Sequence, residues 1–232
     1  MKIGQLMKLH YVYLFSKKNM IAILICLIIG LAISLYSWLD NVSLALPSEQ
    51  IIELSWQTIF TFDKLILHTI AVFIMGNFCL PENDQYYCLF IFQKVSRNKF
   101  FIVKMFVLMM VIVVFATILF ISFVISGYLL NHYFVMQFFY VKAFVYCLLS
   151  CLVFGFFTIF LVKLFPTVMS IIISMIIFLA SDMFADTIII GTIFPTITTE
   201  YLKNTSPISL ILLIILLLFY LFIAIVVNYS KK

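Results

Sequence analysis

Six stretches of this sequence each run for about twenty residues with no charge in the middle, the length a helix needs to cross about 30 Å of hydrocarbon. They cover about 20–39, 61–80, 105–127, 143–162, 167–186 and 208–228. Composition agrees, with 66% of the residues hydrophobic, 10% charged and a mean hydropathy of +1.27. An ordinary soluble domain is about half apolar and a quarter charged. Folding conceals only about 70–75% of the surface of a chain this long, so this much apolar surface needs lipid as its solvent. A soluble enzyme, a nucleic-acid-binding domain and a disordered chain are excluded. The apolar runs are continuous rather than alternating, which excludes a β-barrel. The expected fold class is all-α, a polytopic membrane protein with six transmembrane helices in a single domain over residues 20–232.

The ends of the runs are marked. The first closes on Tyr36 and Trp38, an interfacial belt, and Tyr36-Ser37-Trp38 offers no cleavage site, so it is expected to remain as a span. The second stops at Pro81, and Ser96 is placed to cap the third. The third lies within an apolar run from Phe100 to Leu130, interrupted by Lys104 and too long for a perpendicular crossing. Only Lys163 to Pro166 separates the fourth from the fifth, which makes those two an antiparallel hairpin.

Orientation follows from the charges. Lys2, Lys8, Lys17, Lys18, Lys94, Arg97, Lys99, Lys104, Lys163, Lys231 and Lys232 fall on one side, and Lys64, Lys142 and Lys203 on the other. Positive residues concentrate on the cytoplasmic side, so both termini are expected there, in a multi-pass protein of the cell membrane. Glu82 and Asp84 then lie inside, and the other seven acids, Asp182 and Asp186 among them, lie outside.

Three segments are not spans. Residues 1–19 set Ile3, Leu6, Met7, His10, Tyr13 and Leu14 at helical spacing, an interfacial amphipathic helix, against the plainer reading of a tail whose lysines only set topology. A cytoplasmic helix is expected over about 82–95. It starts with Glu82, carries Gln85, Tyr86, Leu89, Phe90 and Gln93 at helical spacing, and ends in Lys94 and Arg97, in the sense a helix dipole favours. Its aromatics suit a groove on another protein, or else the lipid headgroups. The outer segment from Thr187 to Pro207 holds Ile188 to Phe194, too short to span, and reads as re-entrant or interfacial.

Catalytic chemistry finds no foothold. No Gly precedes a Lys, so there is no Walker A loop, and there is no HExxH or GxSxG. The span middles hold no Asp, Glu, Lys or Arg, which argues against ion-coupled transport. Cys147 and Cys151 share a helical face but have no metal-ligand spacing, and buried Cys usually acts as a small hydrophobe. His68 lies about 10 Å inside the outer edge of the second span, one turn from Lys64. It is either a proton relay or, the plainer expectation, a neutral ring bonded to a neighbouring helix. Asp182 and Asp186 share a face and either flank an exit mouth for cationic cargo or are simply solvated. Gly30 with Ser34, Ser122 with Ser126, Ser170 with Ser174 and Ser181 with Ala185 form small-xxx-small pairs, suited to packing within the chain or between two copies.

The order of parts resembles the type-2 ABC exporter permeases: an interfacial helix, two spans, a cytoplasmic helix, three spans with a tight inner turn, a re-entrant outer segment and a last span. Glu82 to Lys104 is similar to the family's coupling-helix region, including Val95-Ser96-Arg97 before the third span, and Asn204 to Pro207 resembles its Asn-Pro lead into the last. The family's usual glycine after the leading acid is absent, Asn83-Asp84-Gln85-Tyr86 standing there. The resemblance implies a second permease copy or a sister permease and a pair of cytosolic ATPase subunits. ATP and Mg would sit on those partners, with no cofactor, metal or catalytic residue in this chain, and membrane lipid rather than nucleic acid around it. Glu82, Gln85, Tyr86, Leu89, Phe90, Gln93, Lys94 and Arg97 would meet the ATPase, and Asp182, Asp186 and His68 are candidates for the outer gate or pathway. The implied role is export of a hydrophobic or amphipathic substrate, such as an antimicrobial or toxin peptide, a drug or a lipid, from a bacterial cell. A non-transporting membrane scaffold or immunity protein is the competing expectation.

Overall fold

The computed structural model describes residues 3–14, 17–43, 47–78, 96–131, 134–183 and 207–230, and every regular element among them is α-helical. The helices are α1 (Ile3–Leu14), α2 (Lys17–Ser43), α3 (Ser48–Phe78), α4 (Arg97–Leu130), α5 (Phe138–Leu164), α6 (Thr167–Met183) and α7 (Pro207–Ser230). Among the described residues, three stretches are long and apolar enough to cross a membrane: Ser48–Asn77, Lys99–Leu130 and Phe138–Leu164. Leu27–Ser43, Thr167–Met183 and Leu210–Val226 are apolar but shorter. Large apolar side chains lie open on the outside, including Ile28 of α2, Ile125 of α4, Ile176 of α6 and Phe222 of α7. Water would not tolerate such faces, and lipid does. The chain is a helical membrane protein.

The helices outrun the apolar runs. α3 starts at Ser48 rather than near 61, and so takes in Glu49 and Glu53 as well. α4 starts at Arg97 and α5 at Phe138, each ahead of its apolar run. Apolarity marks where a helix meets lipid, whereas backbone bonding continues until a cap ends it. Lys104 is the clearest correction: rather than standing with the loop charges, it lies inside α4 and is 4% exposed. Ser96 does cap α4, its hydroxyl accepting from the Lys99 N–H at 3.4 Å. α5 and α6 form the hairpin, and the Pro166 carbonyl accepts from the Ser170 N–H at 2.9 Å.

α5 is the centre. All ten residues from Ser150 to Ile159 are buried, so no side of that stretch meets lipid, and α3, α4, α6 and α7 pack around it. A helix apolar on every side is one surrounded by others. Small residues let the backbones close in. A Cβ on Gly155 of α5 would stand 2.4 Å from Met75 Sδ of α3. One on Gly30 of α2 would stand 2.4 Å from Leu119 of α4. Ser34 of α2 meets Ser126 of α4 at 2.9 Å, and the hydroxyls of Thr158 of α5 and Ser174 of α6 meet at 2.9 Å. The small-residue faces on α2, α4 and α6 are therefore seams within the chain.

An aromatic cluster fills the end near the α4–α5 connection. Trp38 stacks on Phe123 with centroids 5.9 Å apart, and Trp56 lies 5.1 Å from Phe123 and 4.8 Å from Tyr140. At the opposite end α1 docks on the start of α4. Leu6 packs with Phe100 and Val103, and the His10 ring meets Phe100 edge-on at 4.6 Å.

Candidate functional site

The polar groups of α3 face inward in two directions, and together they are the chemically distinctive part of the described protein. Lys64 and His68 are one turn apart and face α5 and α6. Lys64 is buried, and its Nζ lies 2.5 Å from Asp182 Oδ1 of α6, whose side chain is 32% exposed. His68 has no exposed surface. Its Nδ1 is 2.7 Å from the Lys64 carbonyl, which can only accept, so Nδ1 carries a proton. Its Nε2 lies 3.0 Å from the Ser150 hydroxyl of α5, an arrangement that satisfies a neutral ring with Nε2 accepting. The ring stacks on Phe178 at 4.1 Å and meets Phe154 edge-on at 5.4 Å. Three helices are thus tied at one level by an ion pair, a histidine bridge and an aromatic stack.

Asp63 is the adjacent residue, rotated about 100° around the helix and so turned toward α4 and the start of α5. It lines a cavity of about 20 Å³ with Trp56 and Phe60 of α3, Phe120 and Phe123 of α4 and Phe144 and Cys147 of α5. Asp63 Oδ1 is buried there without a hydrogen-bond partner, and so is Trp56 Nε1. The side chain of Asp63 as a whole remains partly accessible. Cys147 and Cys151 are both free and buried, and the Cys151 thiol donates to the Leu148 carbonyl at 3.1 Å. Among the described residues no three His, Cys, Asp or Glu side chains gather into a metal site.

A second buried histidine sits at the far end, outside the spans. Burial of His10, helped by the nearby charge of Lys104, lowers its pKa from 6.5 to about 4, so the imidazole is neutral at pH 7.

Of the residues singled out from sequence, His68 and Asp182 come together through Lys64. Asp186 and the Thr187–Pro207 segment lie outside the described residues, apart from Pro207 at the start of α7. So do Glu82, Gln85, Tyr86, Leu89, Phe90, Gln93 and Lys94 of the expected coupling helix. Arg97 opens α4. The Lys64–Asp182 pair, Ser150 and the Asp63 cavity went unread in sequence, because their partners come from different helices. The one available signal was the Trp56–Asp63 spacing of seven, two helical turns on one face. Compared with protein-family models, curated proteins and solved structures, the chain matches none.

Proposed function

We propose that this chain is the membrane-spanning subunit of an ATP-driven exporter of the type-2 ABC class. It crosses the cell membrane six times with both termini cytoplasmic, beside a second permease. It moves a hydrophobic or amphipathic cargo outward, such as an antimicrobial or toxin peptide, a drug or a lipid. Two cytosolic ATPase subunits hold ATP and Mg, and segment 82–95 is the surface they push.

The observation that carries this reading is the docking of α1 on the first turns of α4. The coupling segment runs directly into α4 at Arg97, and the N-terminal helix grips that helix at its base through Leu6 and His10. Force applied at 82–95 therefore enters a helix already clamped at one end. It passes to α2 through Ser34–Ser126 and to α3 through the Phe123–Trp56 contact.

The test is co-purification from the native host. A separate protein with a P-loop is expected to copurify with the tagged chain. Combined Glu82→Lys, Tyr86→Ala, Phe90→Ala and Arg97→Glu is expected to release it. Retention of the ATPase by that variant overturns the coupling role of the segment. A phenotype that persists when the ATPase is inactivated points instead to a scaffold or immunity protein that binds without turnover.

A further inference from the structure

The cavity beside Asp63 contains a charge without an answer. Lys64, the neighbouring cation, is engaged with Asp182 at 2.5 Å, while Asp63 Oδ1 faces α4 and α5 with no hydrogen-bond partner. With Oδ1 buried, unbonded and without a counter-charge, ionised Asp63 is disfavoured, and a proton or an outside cation relieves that cost. The lining favours the cation. Trp56, Phe60, Phe120, Phe123 and Phe144 line the cavity together with the carboxylate, and aromatic ring faces attract positive charge through their quadrupoles. Ring faces hold no special affinity for a neutral carboxylic acid.

Size selects among cations. A volume of about 20 Å³ accommodates roughly one water-sized group. That fits a primary ammonium and excludes a trimethylammonium head. A single water bridging Trp56 Nε1 to Asp63 would fill the space but leave the charge uncompensated. The cavity is open on one side, and the alkyl part of the amine extends through that opening.

We propose that the Asp63 cavity between α3, α4 and α5 is a binding site for the primary ammonium group of an amphipathic amine. The carboxylate accepts from the ammonium, and the surrounding rings hold it by cation–π contact. The site needs neither ATP nor a partner subunit, so it stands or falls separately from the export function.

The experiment uses the full chain in detergent with Trp38→Phe, which leaves Trp56 as the sole tryptophan and the cavity as the reporter. n-Butylammonium is expected to change Trp56 emission saturably, whereas n-butanol, with the same alkyl chain and no charge, and tetramethylammonium, charged but too large, are not. Asp63→Asn is expected to weaken binding at least about tenfold, since it removes a charge-assisted hydrogen bond. Phe120→Leu is expected to weaken it about threefold, by loss of one ring face. Equal saturable responses to n-butanol and n-butylammonium overturn the proposal, as does undiminished binding by a helical, folded Asp63→Asn. No saturable change with n-butylammonium also overturns it and assigns the carboxylate to a proton. Should Asp63→Asn fail to fold, the ammonium-against-alcohol comparison on the parent and retention of binding by Asp63→Glu decide the matter.

Discussion

Lys64 of α3 and Asp182 of α6, 118 residues apart, meet with Nζ 2.5 Å from Oδ1, and the two sides of the pair are unequally shielded. The Lys64 side chain is 7% exposed and that of Asp182 is 32%. Removing either partner therefore has different consequences. Asp182→Asn keeps the side chain's shape but withdraws the negative charge from a buried ammonium, and is expected to cost about 2–3 kcal/mol. Lys64→Met leaves a carboxylate that water already reaches, and is expected to cost about 1 kcal/mol or less. Unfolding of the two variants by SDS titration in mixed micelles measures the order. Equal costs would mean that the pair behaves as a surface contact.

The close approach of α3 and α5 rests on the missing side chain at Gly155. A Cβ there would overlap Met75 Sδ, and Met75 is fully buried. Gly155→Ala is expected to destabilise by about 1–3 kcal/mol through overpacking. Adding Met75→Ala makes room, so the double variant is expected to be more stable than the sum of the two single costs implies. A double-mutant cycle in the same titration reads the coupling directly.

The hydroxyl contact between α2 and α4 is directional. Ser126 donates to the Ser122 carbonyl of its own helix, which leaves Ser34 as the donor to Ser126 Oγ. Ser126→Ala therefore strands a buried Ser34 hydroxyl and is expected to cost about 1 kcal/mol, a typical value for an interhelical bond. Ser34→Ala leaves Ser126 still bonded within its helix and is expected to cost about half of that. If the costs are reversed in the same titration, the assigned donor is wrong.

How much of this was legible beforehand depends on the range of the interaction. The apolar runs marked the helices because lipid contact imposes a long local pattern, and Ser96 declared itself as a cap because capping acts over three residues. Gly30, Ser34 and Ser126 were visible as small-residue pairs, although only the fold shows that these pairs join α2 to α4 within one chain. Helix starts were misjudged where charge enters helical backbone, as at Glu49, Glu53 and Lys104. The site itself was hardly legible. His68 and Asp182 stood out as polar residues near apolar runs, but their link runs through Lys64, and no local pattern joins residues 118 positions apart. Asp63 looked like one more outer acid until α4 and α5 closed rings around it.

The last expectation concerns pH and the grip of α1 on α4. In the unfolded chain His10 titrates near 6.5, and in the folded protein burial beside Phe100 and the charge of Lys104 lower that to about 4. Between those values the unfolded or undocked state binds the proton more readily, so acidification favours release. The stabilisation from the neutral ring is fully present above about pH 6.5 and is lost progressively as the pH falls toward 4, amounting to about 1–3 kcal/mol. Hydrogen exchange of the α1 amides, corrected for intrinsic rates, is expected to speed up across that window, while the amides of α5 stay protected. His10→Gln removes the titrating group and is expected to flatten the dependence. A pH profile of α1 exchange that is the same in the variant and the parent would show that another group controls the docking.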